Sequence, residues 1–339
     1  MIEKLSNQGL IPALFLSLSL ATSQNLIVLN KSENTAMFFN LKNDSLISQL
    51  QTGEAPHEVA ISPNKKYAIV TNYGTREKPG NSLSIYNLEK LTLEKVINLG
   101  ELRRPHGVEW LDNEKVVVTV EANKSIAIVD VKNEKIVKEI KTEQEVSHML
   151  VISPDKSKCF VANIGSGSVS VIDLNKGELI KTILTGKGSE GIDITPDGKE
   201  VWVTNRAEDS VAVIDVKTLD VKKKFKVDGF PIRVKFSKDG KFAVISCARS
   251  GEIAIVDAIS KNVLRRVKTA EKSDVEKAGR LFGSVFGDSP VPIGIAIDKQ
   301  NFIYVANSNA DIISVIKLGT GEMVRTIKTG KEPDGIAVW

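Results

Sequence analysis

The sequence predicts an all-β protein: a seven-bladed β-propeller of four-stranded antiparallel blades. Three observations lead there. A short phrase recurs at the head of an apolar stretch, as PHEVAISP at 56–63, PHGVEWLD at 105–112, SHMLVISP at 147–154 and SEGIDITP at 189–196, then as PIRVKFSK, PIGIAIDK and PDGIAVW. The copies recur with a period of about 42 residues, the range of a four-stranded propeller blade. Between them, the apolar runs are four to seven residues long, rich in Val and Ile, and bounded by Gly, Asn, Asp or Pro. That is the punctuation of strands and hairpins, with no helical period.

In chain order, the first segment to place is the apolar run at 11–21 (IPALFLSLSLA), which follows Lys4 and precedes the small residues Ala21, Thr22 and Ser23. It has the length of a secretory h-region, so residues 1–23 are expected to be a signal peptide and the mature chain to be periplasmic or secreted. The run is too short for a membrane span, and no span is expected once it is removed. Residues 24–339 are then expected to form a single propeller domain. Residues 24–53 supply second, third and fourth strands without a first, whereas PDGIAVW at 333–339 supplies a first strand without the rest. One blade built from both termini closes the ring and leaves no open sheet edge.

The blade grammar is clearest at 147–188, where HMLVIS, KCFVAN, SVSVIDL and LIKTILT are strands and PDKS, IGSG and NKGE are turns. The aspartates of the third strands, Asp130, Asp173, Asp215 and Asp257, precede NKGE-like turns and are expected to be turn residues. Two segments break the period. GTREKPGN at 74–81 enlarges the connection between second and third strands, and EKSDVEKAGRLFGSVFGDSP at 271–290 is inserted between a fourth strand and the next first strand. Asp274 predicts a capped short helix over 275–282. Both connections are expected on the face where first strands begin, where the longer one can act as a lid over the channel mouth.

Composition narrows the function classes. Apolar residues at 42% and charged residues at 26% fit a globular chain with a packed core. A formal charge of +4 and only 5% aromatics give neither the basic face nor the stacking platforms of a nucleic-acid binder, so that reading stands third. Cys159 and Cys247 fall at different positions of different repeats, so no disulfide is expected. Phosphate-binding glycine loops, nucleophile elbows and c-type haem attachment motifs are missing from the sequence. A monomer is expected.

The second strands end in VTN, VAN, VTN and VAN at 70–72, 161–163, 203–205 and 305–307. With the SVxVID third strand and the PHGVxxSPDGK-like first strand, they resemble the YVTN-repeat propellers over essentially all of the mature chain. The resemblance implies the fold. For function it implies only a range, since similar propellers serve as surface-layer proteins, periplasmic binding proteins, relatives of haem d1 carriers and lactonase-type enzymes.

Aligning the seven phrases puts His57, His106, His148, Glu190, Ile232, Ile293 and Asp334 in one position, and those three histidines are all the histidines of the chain. In a propeller the first strand is innermost, so this position rims the channel as a polar arc facing an apolar one. Three imidazoles and the Glu190 carboxylate suit a divalent transition metal, with zinc, iron, copper, nickel and manganese all acceptable. Glu190 or Asp334 could be ligand or general base. Glu121 and Cys247 are aligned where other blades carry Asn, which marks both as site candidates, Glu121 for catalysis. Tyr73, Arg206, Arg233 and Arg249 fall near the same face and could hold a small-molecule or protein ligand. The first reading is therefore a ligand site at this mouth. If it is catalytic, a metal-dependent hydrolase, lyase or oxidoreductase is expected. The alternative is a non-catalytic scaffold whose histidines only cap strand entries.

Overall fold

The computed structural model describes residues 24–283 and 285–339, so the expected signal peptide lies outside the described residues. Seven four-stranded antiparallel sheets are arranged around a channel. Six use consecutive strands and are called blades 1 to 6 in chain order, over 56–98, 105–141, 147–184, 189–226, 231–268 and 292–328. In blade 7 the strand Pro333–Val338 pairs with Asn25–Asn30, Leu26 opposite Val338, and Thr35–Asn40 and Ser45–Gln51 follow outward. The composite closure expected from the two termini is therefore present.

Burial follows the order of strands within a blade. Second and third strands such as Lys115–Val120 and Ser125–Asp130 lie between neighbouring sheets and are buried almost throughout, hence their unbroken Val and Ile runs. Fourth strands such as Lys135–Lys141 form the rim and alternate charge with aliphatic residues. The inter-blade core is mostly aliphatic. Its largest fully buried side chain, Trp202, packs edge-on between Phe225 and Phe236.

Two features of the innermost strands shape the channel. Each carries a bulge directly after its leading residue, so two inner-strand residues oppose one on the second strand. A bulge frees an amide and re-aims side chains. The freed amide is taken up by the second strand's threonine: Glu58 donates to Thr71 Oγ1 (3.0 Å), Gly107 to Thr119 Oγ1 (2.9 Å) and Gly191 to Thr204 Oγ1 (2.8 Å). This gives the Thr of the VTN signature a task. The second feature is close approach of blades, since a Cβ on Gly107, Gly191, Gly294 or Gly335 would lie 2.8, 2.5, 2.1 or 2.2 Å from a carbonyl oxygen of the next inner strand.

The inserted segment departs from expectation. In place of a helix over 275–282 there is only a 3-10 turn at Lys272–Asp274, with Asp274 at its third position accepting from the Glu271 amide rather than capping a longer helix. Gly279, in the middle of that span, adopts a φ of 69°, a left-handed value that interrupts a right-handed helix, and Gly283 and Gly287 beyond it adopt 40° and 63°. The segment is tied down by a two-pronged contact of Arg280 with Asp311 (2.5 and 2.6 Å). Phe282 and Phe286 rest on Ile232, Ala248, Val291 and Ile293, the apolar arc of the mouth. No helix among the described residues is long and apolar enough to cross a membrane.

Candidate functional site

The leading residues of blades 1 to 3 converge. The imidazoles of His57 and His106 are 4.8 Å apart, those of His106 and His148 3.6 Å apart and only 34° from parallel, and Tyr73 sits 4.3 Å from His57. A second tier comes from the residue that follows each second strand. Pro105 pairs with Val120, as Pro56 pairs with Asn72 and Ser147 with Asn163. Val120 therefore takes the place of Asn in blade 2, and Glu121 stands one residue further on, in register with Lys31, Tyr73 and Arg206. This corrects the sequence alignment, and the physical reason is Thr119, whose bond to the Gly107 amide fixes the register. The offset matters because second-tier residues reach over the mouth.

Tyr73 donates to Glu121 Oε2 at 2.5 Å, and the other oxygen of Glu121 accepts from His148 Nδ1. On its far side His148 Nε2 is 3.6 Å from Glu190. Glu190 is held by Arg206 at 2.5 Å and by Arg233 at 3.2 Å. Arg233, from blade 5, also crosses the channel to Glu58 of blade 1 at 2.7 Å. On the closing blade, Asp334 pairs with Lys31 at 2.5 Å. Most of these groups are buried or nearly so, Arg206 being partly exposed, and opposite charges match: Lys31, Arg206, Arg233 and protonated His148 against Asp334, Glu190, Glu58 and Glu121.

The histidines are not equivalent. Burial, helped by the Lys31 ammonium, drives the pKa of His57 down to about 3, although its Nδ1 is 3.0 Å from the Ala55 carbonyl. Burial and the neighbouring His148 likewise hold His106 well below the ordinary value. For His148 burial again opposes charge, but Glu121 and Glu190 outweigh it and raise the pKa. Glu190 is pulled down to about 2 against its burial by His148, Arg206 and Arg233. In the row His57, His106, His148, burial thus favours the neutral form of the first two rings and the two carboxylates favour the charged form of the third.

Two candidate residues stand outside this cluster. Cys247 does occupy the Asn place, but its thiol is packed in the apolar core between blades 4 and 5, where burial pushes its pKa up to about 12. Arg249 lies over the Phe230 ring, 4.9 Å from its centroid. Both cysteines are free. Lys31 and Glu58 are functional neighbours that sequence reasoning missed. Glu58 had a signal, for the position after the leading residue reads Glu58, Gly107, Met149, Gly191, Arg233, Gly294, Gly335. Glycine is the default where blades touch, so the acid and the base that break it mark a pair.

The potential metal donors drawn together here share His106 and His148 with the expected set. Donor atoms of His106, Glu121 and His148 lie within 4.8 Å of one another, and His106 Nδ1 is buried with no partner among the described residues. Two imidazoles and a carboxylate suit a divalent transition metal. Glu190 is engaged by two guanidinium groups, and His57 lies on the outer side of His106.

Several solved structures share the architecture. A hydrazine synthase chain from Kuenenia stuttgartiensis is 17% identical, with 83% of this chain and 89% of that chain covered and a TM-score of 0.69. A protein of unknown function from Desulfotomaculum acetoxidans is 14% identical, with 94% and 99% covered and a TM-score of 0.75. A dihydro-heme d1 dehydrogenase, NirN, in complex with DHE is 14% identical, with 92% and 74% covered and a TM-score of 0.65. At such identities the likeness is one of fold. No curated protein matches the chain. The family model for YNCE-like beta-propellers matches residues 81–276.

Proposed function

The chain belongs to the YNCE-like beta-propeller family, and from that premise we propose that it is a ligand-binding propeller whose site is the histidine-bearing channel mouth, with a divalent transition metal held by His106, His148 and Glu121. The observation that carries this reading is the convergence of those three donors in a buried place where His106 Nδ1 has no other partner. A buried, unpartnered imidazole nitrogen is costly unless something occupies it.

The surrounding residues are arranged as supports. Tyr73 donates to Glu121 and so orients that carboxylate, the kind of outer contact that fixes a ligand's direction. Glu190, anchored by Arg206 and Arg233, faces the other nitrogen of His148, where as a carboxylate it can accept from that N–H and orient the ring for a metal on the first nitrogen. Arg233 and Glu58 meet across the channel beneath the site, so the donors lie on the mouth side of that ion pair. The apolar arc of Ile232 and Ile293, roofed by Phe282 and Phe286, offers the organic part of a ligand an apolar wall. A bound metal would supply Lewis acidity or electron transfer at this point.

The test is metal analysis of untagged protein after equilibrium dialysis against zinc or cobalt. One ion per chain is expected in the wild type. His148→Ala and Glu121→Gln are expected to weaken uptake by roughly tenfold or more, and His57→Ala to retain it. Equal uptake by a folded His106→Ala/His148→Ala double variant would sink the proposal.

A further inference from the structure

A second opening lies at the opposite end of the channel. It is a cavity of about 480 Å³, and Arg233 and Glu58, which meet across the channel under the histidines, also line this cavity. None of the three histidines lines it.

The walls of this cavity include the fifth residue of five innermost strands, Ala60, Glu109, Lys235, Ala296 and Ala337 of blades 1, 2, 5, 6 and 7, while Leu150 and Ile192 line it from blades 3 and 4. Ala60, Ala296 and Ala337, from blades 1, 6 and 7, make a low apolar side and leave the space open. Glu109 and Lys235 face it from blades 2 and 5. Around the channel the charged groups come in pairs: Arg233 with Glu58, Lys31 with Asp334, and Lys235 with Asp193 at 3.5 Å. Glu109 is the exception. Its only hydrogen-bond partner among the described residues is the Ile152 amide, 2.9 Å from Oε2, and it has no ion-pair partner there.

We infer that this cavity is a second ligand site, specific for a small molecule with a protonated amine, whose ammonium group completes Glu109 while its carbon chain lies against the alanine wall. A carboxylate with one amide partner retains acceptor capacity for a donor from the cavity. A cation there gives Glu109 the counter-charge that Glu58 and Asp334 already have, and a carboxylate left ionised in a partly desolvated place without one is costly. The titratable and charged groups around Glu109 are Lys235, Arg233 and Glu58, which line the cavity with it, Asp193, which pairs with Lys235, and the buried Cys159 thiol. Burial raises the Glu109 carboxyl to about 7, with Lys235 pulling against it. Amine binding therefore strengthens as the pH rises, because the empty site holds a proton where the ammonium must go.

The experiment is calorimetric titration of the full chain with n-butylamine, n-butanol and n-butyrate. Butylamine is expected to bind about tenfold more tightly at pH 8 than at pH 6, following the ionised fraction of a carboxyl centred near 7. Glu109→Gln keeps an acceptor for the Ile152 amide and is expected to fold, to lose this binding and to lose its pH dependence. Ala337→Leu, which fills the cavity from the apolar side, is expected to lose it as well, while metal uptake at the other mouth is unchanged in both variants. Absence of butylamine binding, equal binding of butanol or butyrate, or wild-type affinity in Glu109→Gln would overturn the inference, and none of these outcomes bears on the histidine site.

Discussion

At the scale of single residues, the mouth shows how one repeat position acquires different chemistry from its neighbours. His57 and His106 are kept neutral by burial, whereas His148 is kept charged by Glu121 and Glu190. These shifts set opposite pH dependences in the metal-free protein. His57, with a folded pKa of about 3 against 6.5 in the unfolded chain, contributes stability that is complete above pH 6.5 and is lost as the pH falls toward 3. His148, with a raised folded pKa, contributes below 6.5 and loses its share as the pH rises through the folded value. Glu190, with a folded pKa of about 2, adds stability above its unfolded value that fades as the pH drops toward 2. Urea midpoints measured from pH 4 to 8 in the presence of a chelator are expected to rise less steeply with pH in His57→Gln than in the wild type. In His148→Gln they are expected to rise more steeply. The same slope in all three proteins would contradict the assigned protonation states.

At the scale of the element, the innermost strand is a compromise between blade contact and channel chemistry. Its bulge, held by threonines such as Thr71 and Thr119, turns the leading residue to the channel, while glycine at the next position lets adjacent strands touch. Where that glycine is replaced, as by Glu58 and Arg233, the side chains leave the contact and meet across the channel. Gly335→Ala is therefore expected to destabilise the protein by about 1–3 kcal/mol through overpacking, because its Cβ would lie 2.2 Å from the His57 carbonyl. Gly319→Ala, with open space around it, is the control and is expected to stay within about 0.5 kcal/mol of the wild type in chemical denaturation. A neutral Gly335→Ala would mean that the blades separate there at little cost.

At the scale of the whole molecule, closure rests on the last strand. Pro333–Val338 supplies the innermost strand of blade 7, buries Leu26 and Val28 behind it, and carries Asp334 to Lys31. Removing 333–339 leaves a buried ammonium without its partner and opens a strand edge toward the channel. The shortened chain is expected to lose the single cooperative thermal transition and to elute as oligomers in size-exclusion chromatography. A monomeric, cooperatively folding truncation would show that six blades and an open seventh suffice.

The repeat, the strand order within a blade, the number of blades and the shared blade of the two termini were legible in the sequence, because short apolar runs and the turn residues between them are local signals that each copy repeats. The sequence also brought His57, His106, His148, Glu190 and Asp334 to one ring. Tertiary structure decided how those residues are used. The register of Glu121 depends on a threonine bonding to a bulge amide in another strand, and the pairing of Arg233 with Glu58 joins residues of blades 5 and 1 across the channel. The fate of Cys247 depends on which side of a sheet it faces. The helix expected over 275–282 yielded to Gly279 in a left-handed conformation at its middle and to the contacts of Phe282 and Phe286. Charge pairing and burial act through space, so a linear pattern names the candidates, and the closed ring selects their partners.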